Sequence, residues 1–97
     1  MRRRHSFHHV HAGHSVTVNI RSGWITETEL LVDGKEVAFH RAHGPGALPR
    51  ELAGELPGEP GRPFVVRIEH DTSGALGLAC VLKVGGTEQP MSERTAV

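Results

Sequence analysis

Cysteine, tyrosine and long apolar runs are scarce or absent in this chain of 97 residues. Cys80 is the single cysteine, so no disulfide can form within the chain and nothing suits it to an oxidising compartment. No stretch approaches the roughly 18 apolar residues of a membrane-spanning helix. With no tyrosine and 4% aromatic residues, the chain lacks the stacking platform that single-stranded nucleic acids need. We therefore expect a soluble, cytoplasmic protein that enters no membrane and does not have nucleic acid as its partner.

The formal charges of the chain cancel, because 11 basic side chains balance 11 acidic ones. No overall field therefore draws it towards nucleic acid or an anionic membrane. The charges are nevertheless unevenly placed, since the first acidic residue is Glu27 and five of the eight histidines lie within residues 5–14. Arg2, Arg3 and Arg4 are followed by a histidine-rich stretch rather than an apolar one, so we expect no export signal.

Alternating apolar residues separated by turn signals predict an all-β fold. The apolar residues from Val16 to Ile20 recur at every second position, which is the period of a strand with one buried face. Asp33-Gly34 and Gly85-Gly86 follow such strands, and these pairs supply the positive φ angles of two-residue hairpin turns. The repeated pattern predicts about seven or eight short strands. We expect one domain over residues 1–97, a single antiparallel β-sandwich or flattened barrel built from hairpins.

Three segments depart from this regular pattern. Residues 1–6 and 92–97 contain little to bury, so we expect the first to be flexible and the second to fray. Five of the six prolines fall within residues 44–63, which predicts a proline- and glycine-rich crossover. Within it, the spacing of leucines over residues 48–56 fits either a short helix or an edge strand.

The alternation also predicts which side chains form the core. Trp24 is expected there, since large aromatic side chains are mostly buried, and an exposed contact patch is the alternative. Cys80 fits the pattern as a buried thiol. The predicted core comprises Val16, Val18, Ile20, Leu30, Val32, Val37, Phe39, Phe64, Val66, Ile68, Leu78, Cys80, Leu82 and Val84.

A histidine cluster is the sharpest chemical signal in the sequence. His9 and His11 stand two residues apart, so on a strand both imidazoles leave the same face. His14 follows a glycine-containing turn and can swing back towards them, and His40, His43 or His70 can complete a site from another strand. Such a donor set suits Zn²⁺, Ni²⁺ or Cu²⁺. The alternative is a solvated histidine-rich arm, in which case no cofactor is expected.

Short motifs that resemble catalytic ones are better explained as turns. His70-Asp71-Thr72-Ser73 contains the residue types of a hydrolase triad, but neighbours in a turn cannot align as nucleophile, base and orienting acid. We expect no catalytic residues, since strands and turns account for nearly the whole chain. The favoured function is a non-enzymatic binding or assembly module acting through protein contacts, and exposed strand edges favour a homo-oligomer. The competing function is a transition-metal-binding protein or small metalloenzyme that uses the histidine cluster.

The hairpin pattern resembles that of a known family. The segments Val16–Ile20, Leu30–Glu36, Val66–Ile68 and Leu82–Gly86 are similar to the repeated hairpins of Fas apoptotic inhibitory molecule domains, over about residues 16–91. The resemblance implies a compact β-sandwich without an active site, which works through protein contacts in the cytosol.

Overall fold

Strands make up most of the chain that the computed structural model describes, which is residues 3–44, 47–70 and 77–94. No helix in these ranges is long and apolar enough to cross a membrane. The strands occur in two consecutive groups and a short final one. The first group comprises β1 (Arg3–His11), β2 (His14–Ser22), β3 (Ile25–Val32) and β4 (Lys35–His43). The second comprises β5 (Glu51–Leu56), β6 (Arg62–His70), β7 (Leu78–Val84) and β8 (Thr87–Pro90), followed by β9 (Ser92–Arg94).

The nine described strands form two antiparallel sheets. The five-stranded sheet has the order β4-β3-β2-β1-β9, and the four-stranded sheet has the order β5-β6-β7-β8. Each group of consecutive strands is therefore a meander whose sequence neighbours pair side by side. The predicted all-β sandwich is confirmed, with nine strands described where seven or eight were expected.

Two-residue turns join three of the hairpins. Asp33 and Gly34 have φ values of 51° and 81°, and Gly85 and Gly86 have values of 55° and 84°. A type I′ turn needs positive φ at both central positions, and its twist matches that of the flanking strands. The turn between β1 and β2 places Ala12 at φ 50°, a conformation that the Cβ atom disfavours.

Inward-facing side chains of both sheets form one core, as the alternation predicted. Most predicted members are buried, and Leu78 is partly buried against them. Burying these apolar surfaces is the main force that holds the two sheets together. The buried apolar residues that the prediction omitted are Phe7, Leu52, Leu56 and Met91.

The prediction for β4 was wrong, because this strand contains a β-bulge. The pairing of β3 with β4 shifts register beyond Leu30 and Ala38, where Val37 is the extra residue. The insertion reverses the alternation that follows it. Ala38 packs against the core, whereas Phe39 is 51% exposed and Val37 is 45% exposed.

Trp24 is not part of the core either. It lies in the bend between β2 and β3, and 89% of its surface is exposed. β3 begins at the next residue, Ile25, so the indole sits just outside the sheet. The size of its side chain predicted burial, but its position in the bend leaves it exposed.

Both segments expected to be loose contribute residues to the five-stranded sheet. Residues 3–6 form the start of β1 and pair with β2, and residues 92–94 form β9 and pair with β1. The expectations were wrong for these residues because each segment finds a partner strand. Residues 1–2 and 95–97 lie outside the described residues.

The crossover predicted over residues 44–63 contains β5, which is an edge strand paired with β6 rather than a helix. Leu52 and Leu56 are buried on its inward side. Between them, a Cβ on Gly54 would lie 2.7 Å from Cζ of Phe64, so only glycine lets the ring pack there. Leucines spaced by four share one side of a strand as well as of a helix, which is why the spacing alone left both structures open.

Met91 carries the chain from one sheet to the other. β8 pairs with β7 and β9 pairs with β1, while the Met91 N–H donates to the Cys80 carbonyl at 2.9 Å. β8 and β9 therefore act as one bent strand that both sheets share. This strand closes one side of the sandwich, and β4 and β5 flank the opposite side.

Candidate protein interface

Two of the four histidines predicted as metal ligands form hydrogen bonds with different side chains. His9 and His11 leave the same side of β1, as predicted, and the strand register sets His11 opposite His14. His9 Nε2 donates a hydrogen bond to Oε1 of Gln89, whereas His14 Nδ1 donates to Oδ2 of Asp33 at 2.8 Å. The latter bond lowers the pKa of Asp33. The end of the hairpin thus brings three predicted ligands to one side but ties two of them to other groups.

His40 lies far from the other three predicted ligands. It is on β4, three strands from β1, which is about 14 Å at the usual strand spacing. Its buried Nδ1 atom has no hydrogen-bond partner among the described residues, and neither has Oγ1 of Thr28, which lies opposite it. Within the described ranges, no group of three or more His, Cys, Asp or Glu side chains could hold a metal ion. The described strands therefore do not assemble the predicted four-histidine site.

A hydrogen bond between a buried histidine and a carboxylate joins β1 to β9, which pair side by side in the five-stranded sheet. His5, which is 5% exposed, donates through Nδ1 to Oε2 of Glu93 at 3.0 Å.

Burial, reinforced by the charge of Glu93, raises the pKa of Cys80 to about 12. Cys80 is therefore a protonated thiol at neutral pH and has no nucleophilic thiolate to offer. Of the hydrolase-like motif, only His70 belongs to the described residues, and Asp71, Thr72 and Ser73 lie outside them. The turn predicted over residues 71–74 also lies outside the described residues.

The outer face of the five-stranded sheet, which points away from the other sheet, is basic along β9, β1 and β2. Cross-strand pairing sets Arg4 opposite Arg21, and it sets Arg94 opposite Ser6. We call Arg4, Arg21 and Arg94 the arginine patch. Neither β1 nor β2 contains an acidic residue. Partial burial, with Arg94 the next largest influence, lowers the pKa of the neighbouring His8.

The same outer face is acidic along β3 and the start of β4. Glu27 lies opposite Arg21, and Glu29 lies one strand from Asn19, whose Nδ2 donates to its carboxylate at 3.1 Å. A hydrogen bond with Glu29 raises the pKa of Glu36. The two carboxylates therefore lie close together, and the face changes from positive to negative across its width.

One backbone hydrogen bond shows how β4 directs its peptide groups. The Gly44 N–H donates to the Trp24 carbonyl at 2.7 Å, which continues the β3–β4 ladder by one pair. In an antiparallel ladder, hydrogen-bonded pairs recur at every second residue. Ala42 and His40 therefore direct their N–H and C=O groups towards β3.

The alternate residues of β4 direct their backbone groups away from β3. These residues are Phe39, Arg41 and His43, and we call this free side of the strand the β4 edge. β4 is the last strand of its sheet, so no described strand pairs with this side. The phenyl ring of Phe39 is half exposed beside these backbone groups. Unpaired peptide groups next to an exposed aromatic ring are suited to adding another strand.

Sequence reasoning missed both the arginine patch and the special character of β4. The patch had a readable signal, because a two-residue turn at Ala12-Gly13 sets Arg4 opposite Arg21 by counting outwards. The β4 edge had none, since local hairpin patterns do not reveal which strand ends a sheet. The bulge at Val37 also has no local signature in the sequence.

Comparison with known proteins adds no relative. No known protein family, no curated protein and no solved structure matches this chain. The resemblance to Fas apoptotic inhibitory molecule domains therefore stays a prediction.

Proposed function

We propose that this chain is a non-enzymatic assembly module that binds a second copy of itself through the β4 edge. The observation that carries the proposal is that the β4 edge, with which no described strand pairs, also carries the exposed Phe39. Addition of a strand to such an edge forms a regular ladder of backbone hydrogen bonds. A cytoplasmic location belongs to the proposal and is supported by the single cysteine.

An antiparallel pair of β4 strands, related by a twofold axis at His40, suits both the backbone and the side chains. In this register Phe39 lies opposite Arg41 of the second copy, and symmetry repeats the contact. A guanidinium against an aromatic ring makes a favourable cation–π contact. Towards the core, Ala38 lies opposite Ala42 of the second copy, where small side chains let the sheet continue without obstruction. Permanent like charges do not face each other across this pair.

The other outer strand on this side, β5, is a poorer edge for the same purpose. Glu51 and Glu55 are both exposed on it. A symmetric pair centred on Ala53 would set Glu51 opposite Glu55 of the second copy, and like charges directly opposite destabilise a sheet. Charged side chains on a short edge strand are a usual protection against strand addition.

Sedimentation velocity over a wide range of concentrations tests this proposal. We expect the wild-type chain to form dimers as its concentration rises. Phe39→Lys should keep it monomeric, because a lysine replaces the ring and repels Arg41 of the second copy. Ala53→Lys is the matched control, since it places the same charge on the exposed side of β5 and should leave dimerisation unchanged.

Two results would contradict the proposal. One is a wild-type chain that stays monomeric at every concentration. The other is dimerisation that survives Phe39→Lys and is lost in Ala53→Lys, which would transfer the contact to β5. Repeating the wild-type run with Zn²⁺ tests the metal-dependent alternative, which stays a prediction and has no metal cluster in its favour among the described residues.

A further inference from the structure

We propose that a pocket beside the arginine patch binds an oxyanion of the phosphate class. The pocket has a volume of about 320 Å³, within the range of small-molecule sites. It lies where β1 begins and β2 ends. The residues that line it are Arg4, His5, Ser6, Asn19, Ile20 and Arg21.

The two arginines of the pocket face each other without a carboxylate between them. Arg4 lies directly opposite Arg21 in the β1–β2 ladder, and like charges in such positions destabilise a sheet. In the part of the chain that the structure describes, neither arginine forms an ion pair. Arg67 on the other sheet differs, because Glu69 and Glu88 both contact its guanidinium. An anion in the pocket would offset a repulsion that no ion pair among the described residues relieves.

A hydrogen-bonded network holds the side chains between the two arginines. Ser6 Oγ donates to Oδ1 of Asn19 at 2.8 Å, and Asn19 Nδ2 donates to Oε1 of Glu29 at 3.1 Å. The amide of Asn19 is thereby fixed from both sides, which gives the pocket a defined wall. The Glu29 carboxylate accepts the hydrogen bond from Asn19 and does not line the pocket.

The charge around the pocket favours an anion that carries more than one negative charge. Arg94 lies opposite Ser6 and adds a third guanidinium to the same face. Glu27 lies opposite Arg21 and opposes anion binding, so the net field of these four groups is positive. Two guanidinium forks can each take a pair of oxygens from a tetrahedral phosphate. A carboxylate offers only two oxygens and one charge.

Titration of the ¹⁵N-labelled chain with inorganic phosphate, followed by amide chemical shifts, tests the site. We expect saturable shifts that centre on Ser6, Asn19 and Arg21. Arg21→Gln and Arg4→Gln should each weaken binding about tenfold, because each removes a charge-assisted contact. Glu27→Gln should strengthen binding, because it removes the opposing charge. A phosphate monoester titrated in parallel shows whether free phosphate or a phosphorylated small molecule is preferred.

The controls separate a built site from general charge attraction. Arg62→Gln removes an exposed arginine from the other sheet and should leave the affinity unchanged. Sodium chloride at matched ionic strength should not reproduce the shifts. Preserved spectral dispersion shows that each variant is folded. Shifts that do not saturate, or equal weakening by Arg62→Gln and Arg21→Gln, would overturn the proposal.

Discussion

β4 and β5 flank the same side of the sandwich, yet their apolar side chains face opposite ways. In β5, Leu52 and Leu56 are 7% and 3% exposed, whereas Phe39 in β4 is 51% exposed. The inward leucines attach β5 to the core, and β4 is held mainly by its ladder with β3 and by the smaller Ala38. An outer strand can thus serve the fold or the surface, and the direction of its large apolar side chains distinguishes the two roles.

Truncating one apolar residue in each strand is the strongest test of this difference. We expect Leu52→Ala to lower the free energy of unfolding by about 3 kcal/mol, because it leaves a cavity in the core. Phe39→Ala should change it by no more than about 0.5 kcal/mol, because the ring is half in solvent. Urea unfolding followed by circular dichroism, at concentrations where the chain is monomeric, measures both. Equal losses would mean that β4 is anchored as firmly as β5.

The packing of β5 can be disturbed without removing any atom. We expect Gly54→Ala to cost about 2 kcal/mol, because the new methyl group meets the Phe64 ring at 2.7 Å and Leu30 at 3.4 Å. Phe64→Leu removes the ring from that contact. The double variant should therefore lose less stability than the sum of the two single losses, and strict additivity in urea unfolding would show that the ring moves aside freely.

The parts of the molecule that local sequence patterns predicted are those that depend on neighbours in the chain. The turn at Asp33-Gly34 was predictable because positive φ is a property of those two residues. The outward rotation of Phe39 depends on a bulge that β3 and β4 form together, so alternation alone assigned it to the core. The pairing of β9 with β1 joins distant segments, which no local pattern records. The β4 edge depends on such non-local pairing and was missed for the same reason, whereas the pairing of Arg4 with Arg21 follows from the local turn at Ala12-Gly13.

The burial of Cys80, on β7 of the four-stranded sheet, can be tested by measuring stability as a function of pH. Because burial raises the pKa of Cys80 to about 12, the folded chain keeps the thiol proton while the unfolded chain loses it above about pH 8.5. The unfolded state then binds fewer protons, so stability falls as pH rises. Between about pH 8 and about pH 9.5, deprotonation of Cys80 in the unfolded chain should lower the free energy of unfolding by about 1.3 kcal/mol.

Urea unfolding of the wild type and of Cys80→Ala, in reducing agent, isolates that effect. We expect the difference in free energy of unfolding between the wild type and Cys80→Ala to shrink by about 1.3 kcal/mol between about pH 8 and about pH 9.5. A difference that stays constant would mean that water reaches the thiol.

The bent strand formed by β8, Met91 and β9 has a consequence for how the chain folds. Each meander can form from hairpins whose partners are close in sequence, and such steps are fast. The contact between His5 and Glu93 instead joins residues 88 positions apart. Its loop-closure entropy has to be overcome before the pairing brings any gain. We therefore expect the seam between β1 and β9 to form last and to set the folding rate, so that the molecule assembles as two early halves that are fastened late.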